Sequence, residues 1–207
     1  MRNGQTEAER RKKRRRRRIQ IIVIYTAIAV GLAWFFESQA TTTIIFVRHA
    51  EKAAEPADDP GLAEAGRRRA AELTRQLVDA DVVAGIDAVY STPYRRNLET
   101  ARPVADALGL EIHQYDADDN EAVLADILKT YKGKIILVVA HSDTLPTLIA
   151  DLGASKKVPP IAENEYDNIY IISIPWFGKT KTIRLRYGDP FVPAAMPADA
   201  TTMRDSM

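Results

Sequence analysis

The stretch KIILVVA, Lys134 to Ala140, has no polar position after its first residue. Six apolar residues are too few for a membrane span, and they leave no polar face for a surface helix. They read as a buried strand, and the rest of the chain follows the same pattern. Thr43 to Val47 is a second such run, β-branched and aromatic. Ile86 to Tyr90 and Glu111 to Tyr115 are shorter strands, and Asn168 to Ile174 and Thr180 to Arg186 come late. Helical patterns lie between them over Leu62 to Leu77, Tyr94 to Leu108 and Asp118 to Tyr131, with another beginning at Leu145. Strand and helix alternate, so the expected fold is α/β: three layers, α/β/α, around a largely parallel central sheet. The domain is expected over residues 43–190, followed by a Pro- and Ala-rich disordered tail over 191–207.

One segment does not belong to that pattern. Arg10 to Arg18 is nine consecutive basic residues, and Ile19 to Phe36 follows with no charge in 18 residues. As a helix those 18 residues would span about 27 Å, close to the hydrocarbon thickness of a bilayer. Trp34 sits near the far end, where interfacial aromatics belong. The reading favoured is a signal anchor: 1–18 a basic cytoplasmic tail, 19–36 a transmembrane helix, 37–42 a linker, and the catalytic domain extracytoplasmic. A cleavable signal peptide is the alternative, with Ser38-Gln39-Ala40 as a small-residue cleavage site.

Charge divides the same way. Residues 1–18 carry ten Lys or Arg and two Glu, a net +8, while the remainder has 19 Lys or Arg against 26 Asp or Glu, a net −7. An acidic domain is a poor nucleic-acid binder, because phosphate-backbone affinity needs a basic face. The chain has no Cys, which excludes disulfides, Cys nucleophiles and thiolate metal sites. No phosphate-binding Gly-rich fingerprint follows any strand, which disfavours a nucleotide-binding fold.

The chemistry is concentrated at strand ends. His49 follows one apolar strand and His141 another, and a third strand runs into Ser91-Thr92-Pro93-Tyr94-Arg95-Arg96. In open α/β sheets ligands bind beyond the carboxyl ends of the strands. If these strands are parallel neighbours, two His and at least two Arg meet at one edge. Arg forks bind phosphate oxygens and stay charged at any usable pH. A neutral imidazole in that field can attack phosphorus, and the cations stabilise the oxygens during transfer. Such a site requires no metal and no cofactor.

Four ordered segments together resemble the histidine phosphatase superfamily, the phosphoglycerate-mutase-like fold. Arg48-His49-Ala50-Glu51 resembles its Arg-His-Gly motif, and Gly61 to Leu73 the helix that follows. Ser91 to Ala101 resembles the Ser-Pro-x-x-Arg-x-x-x-Thr-Ala segment, and Val138 to Pro146 the second-histidine motif. Glu165 to Ile174 is similar to a late strand of small members. The resemblance implies that His49 is the phosphorylated nucleophile, that Arg48 binds phosphoryl oxygens, and that His141 contacts phosphate and stabilises the transition state. Family spacing from Pro93 and Thr100 selects Arg96 as the second Arg and leaves Arg95 as a surface or substrate-facing residue. Ala50 departs from the usual Gly, and Ala140 and Asp143 from the usual Gly and Asn.

Other residues have blander readings. No general acid is evident: Asp118, Asp119 and Glu121 lie in a plausible region, but Asp118-x-x-Glu121 reads as a capping-box-like helix start. Arg67 to Arg69 read as a solvated helix face, His113 as structural, and Trp176-Phe177 as core or edge packing. Tyr166 either packs or lines the site, and Glu51 and Lys52 are candidates for its rim. The expected function is a membrane-anchored, metal-independent phosphatase acting on a phosphorylated small-molecule, lipid or envelope substrate. The alternative is an anchored pseudoenzyme that binds a phosphoryl ligand or a partner without turnover.

Overall fold

Thr42–Arg48 forms β1, and its alternation serves two cores at once. Ile44 and Phe46 face one side of the sheet; Ile45 and Val47 face the other. In the computed structural model, which describes residues 7–38, 41–79, 85–155 and 157–193, five more strands join it. They are β2 (Ala88–Ser91), β3 (Ile112–Gln114), β4 (Ile135–Ala140), β5 (Asn168–Ile174) and β6 (Lys181–Arg186), in the order β3-β2-β4-β1-β5-β6. The four strands from β3 to β1 are parallel; β5 and β6 add antiparallel at one side.

The helices cover both faces. α2 (Glu64–Val78) and α3 (Arg95–Leu108) place Leu73, Ala101, Val104 and Ala105 against Ile45, Val47, Val89 and Val139. α4 (Asn120–Thr130) and α5 (Leu145–Asp151) place Val123, Ile127, Leu148 and Ile149 against Ile44, Phe46, Ile136 and Tyr170. Each apolar face of the sheet is thereby removed from water, which is why α/β folds settle into three layers. α3 stops at Gly109, whose φ of 66° is the left-handed conformation that closes a helix at no steric cost to glycine.

The chain divides into two units, residues 1–40 and 41–207. In the first, α1 (Glu7–Ser38) carries both the basic run and the apolar run, and Glu9–Phe35 is long and apolar enough to cross a membrane. The proposed cleavage site, with Gln39 and Ala40, and most of the 191–207 tail lie outside the described residues.

Two expectations are corrected here. Arg69 is not part of a solvated face. It is buried at 8% exposure, with Nε donating to Glu51 Oε1 at 2.9 Å and its amino groups to the carbonyls of Tyr187 and Asp189. A guanidinium satisfies such a site where a lysine would not, because its fork reaches several acceptors at once. Of the two readings for Trp176 and Phe177, the core one is excluded, because at the turn between β5 and β6 they are 51% and 83% exposed.

Candidate active site

Arg48 is the last residue of β1 and pairs in register with Ala140, the last residue of β4. The residues that follow, His49 and His141, therefore emerge side by side from adjacent parallel strands. Their rings meet edge to face with centroids 5.5 Å apart. The third parallel strand, β2, ends on Ser91 beside Val139, and α3 begins four residues later. That turn delivers Thr92, Tyr94 and Arg96 to the same edge. All four expected site residues, Arg48, His49, Arg96 and His141, line one cavity of about 430 Å³.

The protonation of His49 follows from its contacts. Nδ1 lies 2.9 Å from the Ala50 carbonyl oxygen, which can only accept, so Nδ1 carries the proton and Nε2 keeps its lone pair. Burial, with the cationic Arg48 and Arg96 nearby, pushes the imidazole pKa down to about 3. It is neutral at any physiological pH. The same two causes, burial and then Arg96, bring His141 down to about 4. His141 is held at Nε2 by the fully buried Thr92 hydroxyl, 3.0 Å away, and its ring meets Tyr94 edge to face at 5.2 Å.

The two arginines are held differently. Arg48 is buried at 5% exposure, donates through one amino group to the carbonyls of Ala162 (2.8 Å) and Glu165 (3.1 Å), and lies 4.2 Å over the Tyr166 ring. Its Nε has no partner among the described residues. Burial lowers its pKa, and the charges of Tyr166, Glu163 and Asp143 oppose that shift. The loop that seats it is pinned by Arg186, which grips Asp167 with two contacts of 2.7 Å and Glu165 at 3.2 Å. Arg96 stacks on Tyr94 at 4.6 Å, and its guanidinium has no hydrogen-bond or ion-pair partner among the described residues. Its neighbour Arg95 points elsewhere, toward Glu99 at 3.4 Å. Arg96 lines the cavity and Arg95 does not.

The segment after His49 is clamped on both sides. Thr100 Oγ1 accepts from the Ala50 amide at 3.0 Å and donates to the Arg96 carbonyl at 2.7 Å, so one side chain joins the His49 turn to the Arg96 turn. Opposite, α2 crosses so closely that a Cβ on Gly66 would lie 2.2 Å from the Glu51 carbonyl oxygen. Only glycine permits that approach. Ala50 stands where the resemblance expects Gly, yet no described non-glycine residue has a positive φ, so its Cβ is accommodated without strain.

The carboxylates sort themselves by position. Asp118 lines the cavity together with Asp58, Asp143 and Glu163; Lys52 lines it too, whereas Glu51 is engaged with Arg69. Asp119 does not line it. It is the cap of α4, accepting from the Ala122 amide at 3.0 Å. The capping position is one residue later than the spacing suggested, and Glu121 lies in the first turn of α4, also away from the cavity lining. Among the described residues there is no cluster of His, Asp and Glu suited to a metal ion. Sequence reasoning missed Thr92 and Arg186. A Thr before Pro93 carried a weak signal for the first; nothing local marked the second.

Comparison with known proteins agrees with this geometry. The sequence model described as histidine phosphatase superfamily (branch 1) matches residues 44–117. A sequence search of curated proteins finds no match. Among solved structures, the protein histidine phosphatase SixA complexed with tungstate shares 20% identity, covering 70% of this chain and 96% of its own, with a TM-score of 0.57. A putative phosphohistidine phosphatase SixA from Nakamurella multipartitia shares 16%, covering 73% and 98%, with a TM-score of 0.54. A mycobacterial glucosyl-3-phosphoglycerate phosphatase shares 15%, covering 64% and 90%, with a TM-score of 0.51. At these identities the likeness is one of fold.

Proposed function

We propose, for a chain that belongs to the histidine phosphatase superfamily, that it is a metal-independent phosphatase working through a phosphohistidine at His49. The observation that carries this reading is the tautomer of His49. A buried, neutral imidazole with its proton fixed on Nδ1 offers an Nε2 lone pair inside a cavity that also holds two guanidiniums.

In the first step Nε2 attacks phosphorus and the bond to the leaving oxygen breaks. Arg48 and Arg96, both on the cavity wall, hold the phosphoryl oxygens, Arg96 with its whole guanidinium. His141, oriented by Thr92, contacts the same group. A carboxyl among Asp118, Asp143 and Glu163 supplies the leaving oxygen with a proton. In the second step water attacks phospho-His49, the carboxylate takes the water's proton, and phosphate departs.

The substrate is a phosphomonoester or another phosphoryl compound small enough for, or protruding into, a cavity of about 430 Å³. The apolar run of α1 supports membrane anchoring, and the basic block before it supports an extracytoplasmic domain.

The test is hydrolysis of an aryl phosphate by the full chain in EDTA, beside His49→Ala. The expected result is turnover that persists in EDTA and falls by at least about 10⁴-fold in the variant, as for other lost nucleophiles. Turnover unchanged in the variant would sink the assignment. No turnover in the wild type, with tungstate still bound, would point to the binding-only alternative.

A further inference from the structure

The charged lining of the candidate cavity is of two kinds. One is the phosphoryl machinery around His49; the other is four carboxylates, Asp58, Asp118, Asp143 and Glu163. Each carboxylate comes from a different loop, and each loop is pinned to the site. Asp59 accepts from the Arg95 amide at 3.0 Å, which seats the loop carrying Asp58 against the start of α3. The Tyr115 amide donates to the Ser91 carbonyl at 3.1 Å, so the segment carrying Asp118 stays beside the end of β2. Asp143 follows closely on His141 and accepts from the Thr144 amide at 2.9 Å. Glu163 lies between Ala162 and Glu165, whose carbonyls hold Arg48. All four carboxylates are exposed, and none forms an ion pair among the described residues.

An acidic rim by itself means little, but this one shares its cavity with His49. That side chain is buried at 5% exposure, and its Nε2 has no hydrogen-bond partner among the described residues. In-line displacement puts the leaving oxygen on the far side of phosphorus from Nε2. The leaving group therefore points away from the buried imidazole and toward the exposed carboxylates. With both imidazoles neutral, three cations and four carboxylates line the cavity. A phosphoryl dianion neutralises Arg48 and Arg96. Lys52 is then the remaining cation of the lining against four carboxylates, or three when one is protonated as the acid. The potential around the leaving group is negative, which attracts a cation and repels a carboxylate.

We propose that the substrate is the phosphomonoester of a small alcohol bearing an ammonium group, with that cation held among Asp58, Asp118, Asp143 and Glu163. The inference rests on the phosphatase reading and names the substrate class of that site. The reaction is unchanged: Nε2 gains the phosphoryl group, and the alcohol leaves with a proton on its oxygen and its ammonium intact. A cavity of about 430 Å³ is of small-molecule size and takes such an ester whole. Because the carboxylates are exposed, water screens each one, and the preference is the sum of several modest attractions.

Three esters separate charge from reactivity: phosphocholine, neohexyl phosphate, which replaces the ammonium nitrogen by carbon, and phosphoglycolate, which carries a carboxylate. kcat/KM is measured for each with the full chain and with its Asp58→Asn/Glu163→Gln variant. The ratio of phosphocholine to neohexyl phosphate is compared between the two proteins, so leaving-group reactivity and any general loss of activity cancel. That ratio should fall at least about threefold in the variant, the scale of exposed ion pairs, with KM for phosphocholine carrying the change. Phosphoglycolate should be the poorest of the three for the wild type and should gain on neohexyl phosphate in the variant. If the double variant loses all turnover, Asp58→Asn alone gives the same comparison, because Asp58 has no partner among the described residues. A ratio unchanged by the substitutions overturns the proposal, as does a wild type that prefers phosphoglycolate to phosphocholine. An aryl phosphate is the control for the underlying reading. Its turnover without a charge preference removes this inference alone; no turnover of any ester removes the phosphatase reading and this inference with it.

Discussion

At the scale of single residues, the candidate site is defined by two histidines kept neutral beside two guanidiniums. The pKa of His49 is about 3 and that of His141 about 4 in the folded protein, against an ordinary 6.5. Between those values the unfolded chain binds more protons than the folded one, so stability rises with pH there. The contribution is fully present above about 6.5 and is lost as pH falls toward 3, at a slope approaching about 1.4 kcal/mol per pH unit for each ring. Urea midpoints measured from pH 6.5 down to pH 4.5 should therefore fall more steeply for the wild type than for a His49→Gln/His141→Gln double variant. Equal slopes would mean that the rings titrate normally. Arg96 differs from Arg48 in having no protein acceptor to satisfy. Arg96→Ala should lower kcat by about 10²- to 10³-fold, the range for removing one transition-state donor, with little change in melting temperature. A large drop in stability would show that Arg96 has a structural partner instead.

At the scale of elements, the approach of α2 to the turn after His49 is set by Gly66. Gly66→Ala puts a methyl group 2.2 Å from a backbone oxygen that cannot rotate away. Helix and turn must separate, at an expected cost of about 1–3 kcal/mol, the usual range for overpacking. Because Ala50 and Glu51 belong to that turn, activity should fall as well. Denaturant unfolding paired with kcat measurements checks both, and a variant with wild-type stability would show that α2 shifts freely. Thr100 reaches the same turn from α3. The two helices thus clamp the turn that follows His49 from opposite sides.

At the scale of the whole domain, Arg69 joins parts that are distant in sequence. It links α2, the Glu51 turn and the stretch at Tyr187 and Asp189 that follows the last strand. Removing one partner of a buried pair leaves the other charge uncompensated, which costs 3–5 kcal/mol when burial is complete. The Glu51 side chain keeps 23% exposure, so water offsets part of that penalty. Arg69→Met should cost about 2–3 kcal/mol, and Arg69→Met with Glu51→Gln should recover part of it. A single variant as stable as wild type would mean that the C-terminal stretch docks without Arg69.

Strand and helix positions were legible in the chain because hydrophobic periodicity is local: a run such as residues 135–140 can only be buried. For the same reason His49 and His141 could be placed at strand ends, and the spacing of Pro93, Arg96 and Thr100 survived intact on one helix start. Partnership was not legible. β1 lies beside β4 rather than beside β2, and that order alone puts His49 next to His141. Arg48 is seated by carbonyls 114 and 117 residues away. Arg69 is chemically indistinguishable in sequence from the exposed Arg67 and Arg68 beside it, yet it is buried because Glu51 and two late carbonyls happen to meet there. Trp176 and Phe177 are apolar, but the β5–β6 turn carries them outside both core clusters. A residue's own chemistry sets what it can bind; the strand order sets which acceptor, ring or solvent it finally meets.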